Sequence, residues 1–317
     1  MGDTSWSSEF YQERQSSRSR EGKVAFSYSA SVAERPVHEQ RVHEKMDPKG
    51  VTRESRDSDL HPESNAIAVM FDVTGSMGRV PLVLQTKLPS LMDTLLKGNY
   101  IQHPQVLYGA VGDARSDRGS LQVGQWESGV EMDESFENMW LEGGGGGSME
   151  ESYQNALYFF ARHTSIDCFE KRQKKGYLFL IGDERPYGVV SRNEIEKITG
   201  DTLQGDIPIE QIIEEVRERY HLFFIIPQHT SHGRNPVVRG VWTRLLGEEN
   251  LLCLEDESSI SETIAMAIGL CEGAVNLDQA RQDLQTHGAN LDDINRAAAS
   301  LSSLAANRGS EGRTARL

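Results

Sequence analysis

The chain has 317 residues, and its 33 lysine and arginine residues face 48 aspartate and glutamate residues, which gives a formal net charge of −15 at pH 7. A chain this acidic is a poor candidate for binding nucleic acid or anionic membranes, because phosphate groups repel it. Hydrophobic residues make up 37%, below the share of about 45–50% in ordinary globular domains, so part of the chain is expected to lie outside a packed core.

The sequence carries no signal for a membrane or for secretion. No apolar run approaches the roughly 20 residues of a membrane span, and the N-terminal stretch lacks the apolar centre of a secretory signal. The three cysteines, Cys168, Cys253 and Cys271, are far apart and form no CxxC pair. Reduced thiols of this kind are typical of a cytoplasmic protein, which is the localisation we expect.

Residues 1–62 differ in composition from the rest of the chain. They are rich in serine, arginine and glutamate, with ten basic and eleven acidic residues, and residues 24–29 form a short β-like run. This pattern favours an extended, partly disordered arm that wraps the following domain or a partner. The remainder of the chain therefore carries a net charge of −14.

From residue 66 the pattern becomes that of an α/β domain. Short apolar runs, typical of strands buried on both faces, alternate with amphipathic segments typical of helices. The predicted strands cover residues 66–71, 106–111, 177–181, 222–226 and 251–254, and the alternating run 121–126 is a predicted edge strand that forms a hairpin with 106–111. The predicted helices cover residues 81–97, 150–162, 209–219, 237–246 and 259–271.

This order predicts a mostly parallel sheet with helices on both faces and one antiparallel edge strand, over residues 63–273. Beyond residue 274 the chain is rich in alanine and serine, with leucines at helical spacing. We expect amphipathic helices in residues 274–317 that pack on the domain or on another subunit. The arm and these helices are the candidate surfaces for homo-oligomerisation.

Short oxygen-bearing side chains follow several of the predicted strands. In an open α/β sheet, ligands bind at the carboxyl ends of the strands, so these side chains are expected to reach one rim. Carboxylates and hydroxyls without thiolates or imidazoles form the ligand set of a hard divalent cation. The side chains are Asp72, Thr74, Ser76, Asp113, Asp117 and Asp183.

Part of this pattern resembles the metal-ion-dependent adhesion site (MIDAS) of von Willebrand factor A (VWA) domains. The motif of that family begins Asp-x-Ser-x-Ser or Asp-x-Thr-x-Ser, which Asp72, Thr74 and Ser76 match position by position. Asp183 matches the family's last aspartate, which follows the fourth strand. The resemblance covers about two-thirds of the chain. It implies a doubly wound, Rossmann-like sheet and a site for Mg²⁺ or Mn²⁺.

The third ligand departs from the family pattern, which usually has a threonine on a loop before a helix. Here the five glycines of residues 143–147 precede Ser148 and Glu151. Some members use a glutamate, so the resemblance favours Glu151 on the first turn of the next helix, with Ser148 as the second choice. The glycine run either lets the backbone approach the cation or is a flexible linker. Asp113 and Asp117 are either solvated turn residues or outer contacts of a cation.

The resemblance implies a binding module and not an enzyme. Hydroxyl ligands leave the charge of Mg²⁺ uncancelled, and the ion keeps some waters, one of which an aspartate or glutamate of a partner protein replaces. Binding would then depend on the metal. Intracellular members of this family often act with AAA+ ATPases or in bacterial stress and defence assemblies. The resemblance therefore makes an AAA+ ATPase a candidate partner.

Two other functions compete with this interpretation. Asp-x-Thr-Gly-Ser after a strand also resembles the phosphotransferase motif of the haloacid dehalogenases, in which the first aspartate, here Asp72, attacks phosphorus. However, Thr74 stands where that family has its general acid, and Tyr187 stands where it has a later second acid. The other alternative is a metal-independent scaffold, because a fold alone does not fix a function.

Overall fold

The apolar runs of the sequence form a six-stranded central sheet in the computed structural model, which describes residues 4–21, 25–145 and 147–314, with side chains up to residue 308. The strands within these residues are β1 (Arg53–Ser55), β2 (Asn65–Asp72), β3 (Pro104–Val111), β4 (Leu121–Val123), β5 (Glu150–Glu151), β6 (Thr164–Ile166), β7 (Gly176–Ile181), β8 (Arg185–Pro186), β9 (Val189–Val190), β10 (Ile207–Pro208), β11 (Tyr220–Pro227) and β12 (Leu251–Leu254).

Thirteen α-helices surround the strands in the same residues. They are α1 (Ser8–Arg20), α2 (Ser27–Ala33), α3 (Val80–Lys97), α4 (Glu134–Asn138), α5 (Tyr153–Arg162), α6 (Asp167–Arg172), α7 (Arg192–Ile198), α8 (Ile209–Arg219), α9 (Pro236–Leu246), α10 (Ile260–Cys271), α11 (Leu277–Thr286), α12 (Leu291–Ser300) and α13 (Ser302–Thr314). Among the described residues, no helix combines the length and the apolarity that crossing a bilayer requires.

The strands of the central sheet lie in the order β12-β11-β7-β2-β3-β4. Every neighbouring pair is parallel except β3 and β4, which are antiparallel at the edge. The predicted mostly parallel sheet is therefore confirmed, and the edge strand is shorter than predicted, since it ends at Val123. The strand order reverses between β2 and β7, the position where open α/β sheets leave a crevice for ligands.

Both faces of the sheet are covered by helices, as the sequence predicts. Alternate side chains of β2 point to opposite faces. Ile67 and Phe71 pack into a core that includes buried residues of α3 and α10. Ala68 and Met70 pack into a second core that includes buried residues of α5, α8 and α9. Burial on both faces explains why β2 lacks the alternating pattern of a half-exposed strand.

The terminal segments lie against this domain. In the N-terminal arm, the indole of Trp6 donates to Asp93 Oδ1 at 3.0 Å, and Tyr11 is buried. The β-like run at residues 24–29 is a wrong prediction over its described part, because α2 begins at Ser27, and Val24 lies outside the described residues. The C-terminal helices contribute buried leucines to the same core as α10, which matches their predicted amphipathic pattern.

One boundary near the site differs from the prediction. The helix expected from residue 150 begins at Tyr153, and Glu150–Glu151 instead form β5, which pairs in parallel with β8. The Ser152 hydroxyl accepts a hydrogen bond from the Ala114 backbone N–H at 2.9 Å and so ties this segment to the loop after β3. The placement of Glu151 on a first helical turn is therefore wrong.

Candidate metal centre

Asp72, Thr74, Ser76 and Asp183 form one chain of hydrogen bonds at the carboxyl ends of β2 and β7. Asp72 Oδ1 accepts from the backbone N–H of Thr74 at 2.7 Å and from its hydroxyl at 2.6 Å. The Thr74 and Ser76 hydroxyl oxygens are 3.1 Å apart, and Ser76 Oγ donates to Asp183 Oδ1 at 2.8 Å. The structure thus brings together four of the six side chains that were predicted to reach one rim of the sheet.

A buried tyrosine holds the other oxygen of Asp72. The hydroxyl of Tyr153 donates to Asp72 Oδ2 at 2.9 Å, and its ring stands edge-on to Phe224 and Trp242, with centroid distances of 5.2 and 5.6 Å. Gly182 lies directly against this hydroxyl, and a Cβ atom at that position would overlap it. Sequence reasoning missed this role of Tyr153, because a tyrosine on the apolar face of a helix is indistinguishable from ordinary core.

Of the two alternatives for the third ligand, the structure brings Glu151 to Asp72. Glu151 is fully buried, and its Oε1 accepts from the Ser152 backbone N–H at 2.8 Å. Its Oε2 is buried and has no hydrogen-bond partner among the described residues. Ser148 is exposed and lies 3.5 Å from the Glu150 carbonyl oxygen. A buried carboxylate oxygen without a donor is costly, so this atom needs an explanation.

A further acid, Glu184, completes a group of three buried carboxylates. Asp72, Glu151 and Glu184 each place a carboxylate oxygen within 4.8 Å of the other two, and we call these three residues the acidic cluster. Glu184 Oε1 lies 3.6 Å from the imidazole of His232. The sequence prediction of the site did not include Glu184. Its one sequence signal is its position directly after Asp183.

Burial and mutual repulsion dominate the electrostatics of the acidic cluster. Burial raises the pKa of Asp72 to about 7, and the charge of Asp183 adds to the rise against the hydrogen bonds from Thr74. Burial and the Asp72 charge raise the pKa of Glu184 to about 8. The same two causes raise the pKa of Glu151 well above its usual range. A compensating positive charge would therefore favour the ionised form of all three carboxylates at neutral pH.

Asp113 and Asp117 stabilise loops at the edge of this site. Asp113 is buried, so it is not a solvated turn residue, and it accepts from the Arg115 backbone N–H at 3.0 Å and from the Tyr187 hydroxyl at 3.2 Å. Asp117 accepts from the Asp113 backbone N–H at 2.9 Å. Both charges also contribute to the raised pKa of Glu184, so they lie close to the acidic cluster without belonging to it.

The glycine run lies on the turn that follows β2. The backbone N–H of Gly75 donates to the Gly144 carbonyl at 3.2 Å, and the N–H of Gly145 donates to Asp117 Oδ1 at 3.1 Å. Gly145 has a φ of 123°, a conformation that other residues rarely adopt. Gly146 lies outside the described residues. The described glycines are thus in contact with the site, which a free linker would not be.

No family model and no curated protein matches this sequence. Among solved structures, the chain is similar to the pilus adhesin SpaC from Lactobacillus rhamnosus GG in its open conformation, with a TM-score of 0.43, 9% identity, and coverage of 75% of this chain and 31% of that one. It is also similar to proximal thread matrix protein 1 from the mussel byssus, with a TM-score of 0.41, 14% identity, and coverage of 65% and 47%. The chain thus spans less than half the length of either protein.

Proposed function

We propose that this protein is a metal-dependent binding module of the VWA type. It holds Mg²⁺ or Mn²⁺ through Asp72, Thr74, Ser76, Glu151 and Asp183, and it docks an aspartate or glutamate of a partner protein. The observation that carries this proposal is Glu151 Oε2, a fully buried oxygen without a hydrogen-bond partner among the described residues. A buried carboxylate without a donor either takes up a proton or coordinates a metal, and the neighbouring carboxylates favour the metal.

The donor set supports a hard divalent cation. Every predicted ligand offers oxygen, from carboxylates or from the hydroxyls of Thr74 and Ser76, which is the set that Mg²⁺ and Mn²⁺ prefer. The two hydroxyls add ligands without adding negative charge. When bound, the cation would supply an electrophilic position at which a partner's carboxylate replaces water. Metal dependence of partner binding is therefore the signature of this function.

The position of the site in the sheet supports the finer, Rossmann-like fold assignment that the proposal includes. Numbered along the chain, the six strands of the sheet have the order 3-2-1-4-5-6, which is the order of a doubly wound sheet. Its ligand crevice lies where the order reverses. Asp72 ends β2 and Asp183 follows β7 after one glycine, on the two sides of that reversal.

The surroundings of Asp72 favour binding over phosphoryl transfer. A nucleophilic aspartate needs a free oxygen that can approach phosphorus. Asp72 is fully buried, and its two oxygens accept hydrogen bonds from Thr74 and Tyr153. A phosphatase screen with a generic aryl phosphate separates the two functions, and turnover that disappears in Asp72→Asn would contradict the binding proposal.

The proposal specifies the partner only by its chemistry. The partner is a protein that presents a carboxylate on its surface. An AAA+ ATPase is the candidate that the resemblance supplies, in the cytoplasm. A second copy of the chain, docked through the arm or through the C-terminal helices, is the other candidate. Capture of either partner that persists in EDTA would favour the metal-independent scaffold.

Isothermal titration of the EDTA-treated full chain with Mg²⁺ and Mn²⁺ tests the cation site. We expect binding in the wild type and its loss in the double variant Asp72→Asn plus Asp183→Asn. The matched control is Asp59→Asn, because Asp59 is exposed and belongs neither to the hydrogen-bonded chain of ligands nor to the acidic cluster. Absence of binding in the wild type, or undiminished binding in the double variant, would refute the proposal.

A further inference from the structure

The donors of this site fall into two groups that share Asp72. One group is the hydrogen-bonded chain of Thr74, Ser76 and Asp183, which begins at Asp72 Oδ1. The other group is the acidic cluster, in which Asp72 lies beside Glu151 and Glu184. Within the described residues, Asp183 does not belong to that mutually close set. The two groups are therefore adjacent but distinct.

The charge of the two groups exceeds what one divalent cation can neutralise. Asp72, Asp183 and the two glutamates of the acidic cluster together carry four negative charges when ionised. The imidazole of His232 is 3.6 Å from Glu184, and the guanidinium of the neighbouring Arg185 pairs instead with Glu150 at 3.8 Å. One divalent cation compensates two of these charges, so the other two carboxylates must either take up protons or bind a second cation.

The acidic cluster has its own unpartnered ligand atom. Glu151 is fully buried, and its Oε2 finds no donor among the described side chains and backbone groups. The hydroxyls of Thr74 and Ser76, which could have donated to a carboxylate, are engaged with Asp72 and Asp183. The acidic cluster thus has more hydrogen-bond acceptors than donors, whereas the chain of Thr74, Ser76 and Asp183 contains its own hydroxyl donors.

Resting on the function proposed above, we propose that the site binds two divalent cations. An outer cation lies at Thr74, Ser76 and Asp183, and an inner cation lies in the acidic cluster, with the Asp72 carboxylate between them. Both are hard cations such as Mg²⁺ or Mn²⁺, because all ligands are oxygens. Two divalent cations balance four carboxylates, so the site carries no net negative charge that would repel a partner's acidic residue.

The number of bound Mn²⁺ ions per chain tests this proposal. Equilibrium dialysis of the full chain against Mn²⁺, followed by elemental analysis, is expected to give two ions in the wild type and one in Glu184→Gln. Electron paramagnetic resonance supplies an independent readout, since two Mn²⁺ ions that share a carboxylate give a spin-coupled spectrum, and the variant should give an uncoupled one. Glu150→Gln is the matched control and should retain two ions, because Glu150 lies next to Glu151 but outside the acidic cluster.

Each result bears on a different claim. Two ions in the wild type and one in Glu184→Gln support the inner cation. One ion in the wild type that Glu184→Gln retains overturns the two-cation centre and leaves the proposed function intact. One ion that this substitution removes also overturns it, since the cation then lies in the acidic cluster alone. No bound ion overturns both proposals. Circular dichroism of each variant verifies that the fold is retained.

Discussion

Substitution of Tyr153 by phenylalanine tests whether metal binding depends on a residue that holds a proposed ligand in place without binding the metal itself. The substitution removes the hydroxyl that donates to Asp72 Oδ2 at 2.9 Å and leaves the ring, which Phe224 and Trp242 hold edge-on. Because Asp72 is fully buried, no solvent donor replaces the lost hydroxyl. The orientation of the Asp72 carboxylate then rests on Thr74 alone.

The expected magnitude follows from the loss of one hydrogen bond to a buried acid. Removing the partner of a buried acceptor costs about 1–3 kcal/mol of stability. Substituting a residue that orients a metal ligand costs about 10- to 100-fold in metal affinity. That range corresponds to about 1.4–2.7 kcal/mol of binding free energy. We expect Tyr153→Phe to show both effects, with the cation stoichiometry unchanged.

Titration with Mn²⁺ and chemical denaturation in EDTA measure the two effects separately. Tyr158→Phe is the matched control, since Tyr158 lies on the same helix and its hydroxyl donates to Asp201 at 2.5 Å, away from the site. This control should keep the wild-type Mn²⁺ affinity. An Mn²⁺ affinity of Tyr153→Phe within twofold of the wild type would refute the inference that Asp72 needs this donor.

Three further predictions concern the site and the packing around it. Since burial raises the pKa of Asp72 to about 7, the folded state of the metal-free protein binds more protons than the unfolded state. Its free energy of unfolding, relative to Asp72→Asn, should therefore fall as the pH rises from about 4 through 7, and saturating Mg²⁺ should remove this fall. Gly182→Ala should destabilise the protein by about 1–3 kcal/mol and weaken Mn²⁺ binding, because the added Cβ overlaps the Tyr153 hydroxyl. Lys87→Met should cost about 3 kcal/mol, since Lys87 Nζ pairs at 3.0 Å with Glu262, a buried residue of α10.

Each of these predictions has a control and a contradicting outcome. If the free energy of unfolding of Asp72→Asn changes with pH in parallel with that of the metal-free wild type, Asp72 does not titrate as inferred. Gly188→Ala controls for the glycine substitution, because no atom lies within 4 Å of a Cβ there, and Gly182→Ala should be the less stable of the two. Glu262→Gln controls for Lys87→Met. An equal or larger loss of stability in Glu262→Gln would contradict the inference that Lys87→Met destabilises the protein by leaving the Glu262 charge unpaired.

The elements with strong hydrophobic patterns were predictable from the sequence, and so was part of the site. Continuous apolar runs identified the central strands, and the carboxyl ends of β2 and β7 then identified Asp72 and Asp183 as neighbours. Glu184 was not predictable, because the direction of a side chain in the turn after β7 depends on tertiary contacts. The Trp242 indole, for example, donates to the Glu184 carbonyl at 2.9 Å.

The strand β5 shows a second reason why sequence patterns failed near the site. Tyr153 and the apolar residues that follow give a strong helical period, which extends naturally back to residue 150. The pairing of β5 with β8, more than thirty residues later in the chain, overrides this local preference. That pairing removes Glu151 from the helix and buries its side chain, and periodicity contains no information about such a long-range contact.

Stability and metal binding are coupled at this site, and the coupling provides an independent count of the cations. A ligand that binds only the folded state stabilises it by about 1.4 kcal/mol for each tenfold rise in free ligand above its Kd. One bound cation therefore gives that slope for the free energy of unfolding against the logarithm of the Mn²⁺ concentration. Two cations give about twice that slope once both sites are saturated. In Glu184→Gln the slope should return to the single-cation value, whereas equal slopes in the two proteins would contradict the inner cation.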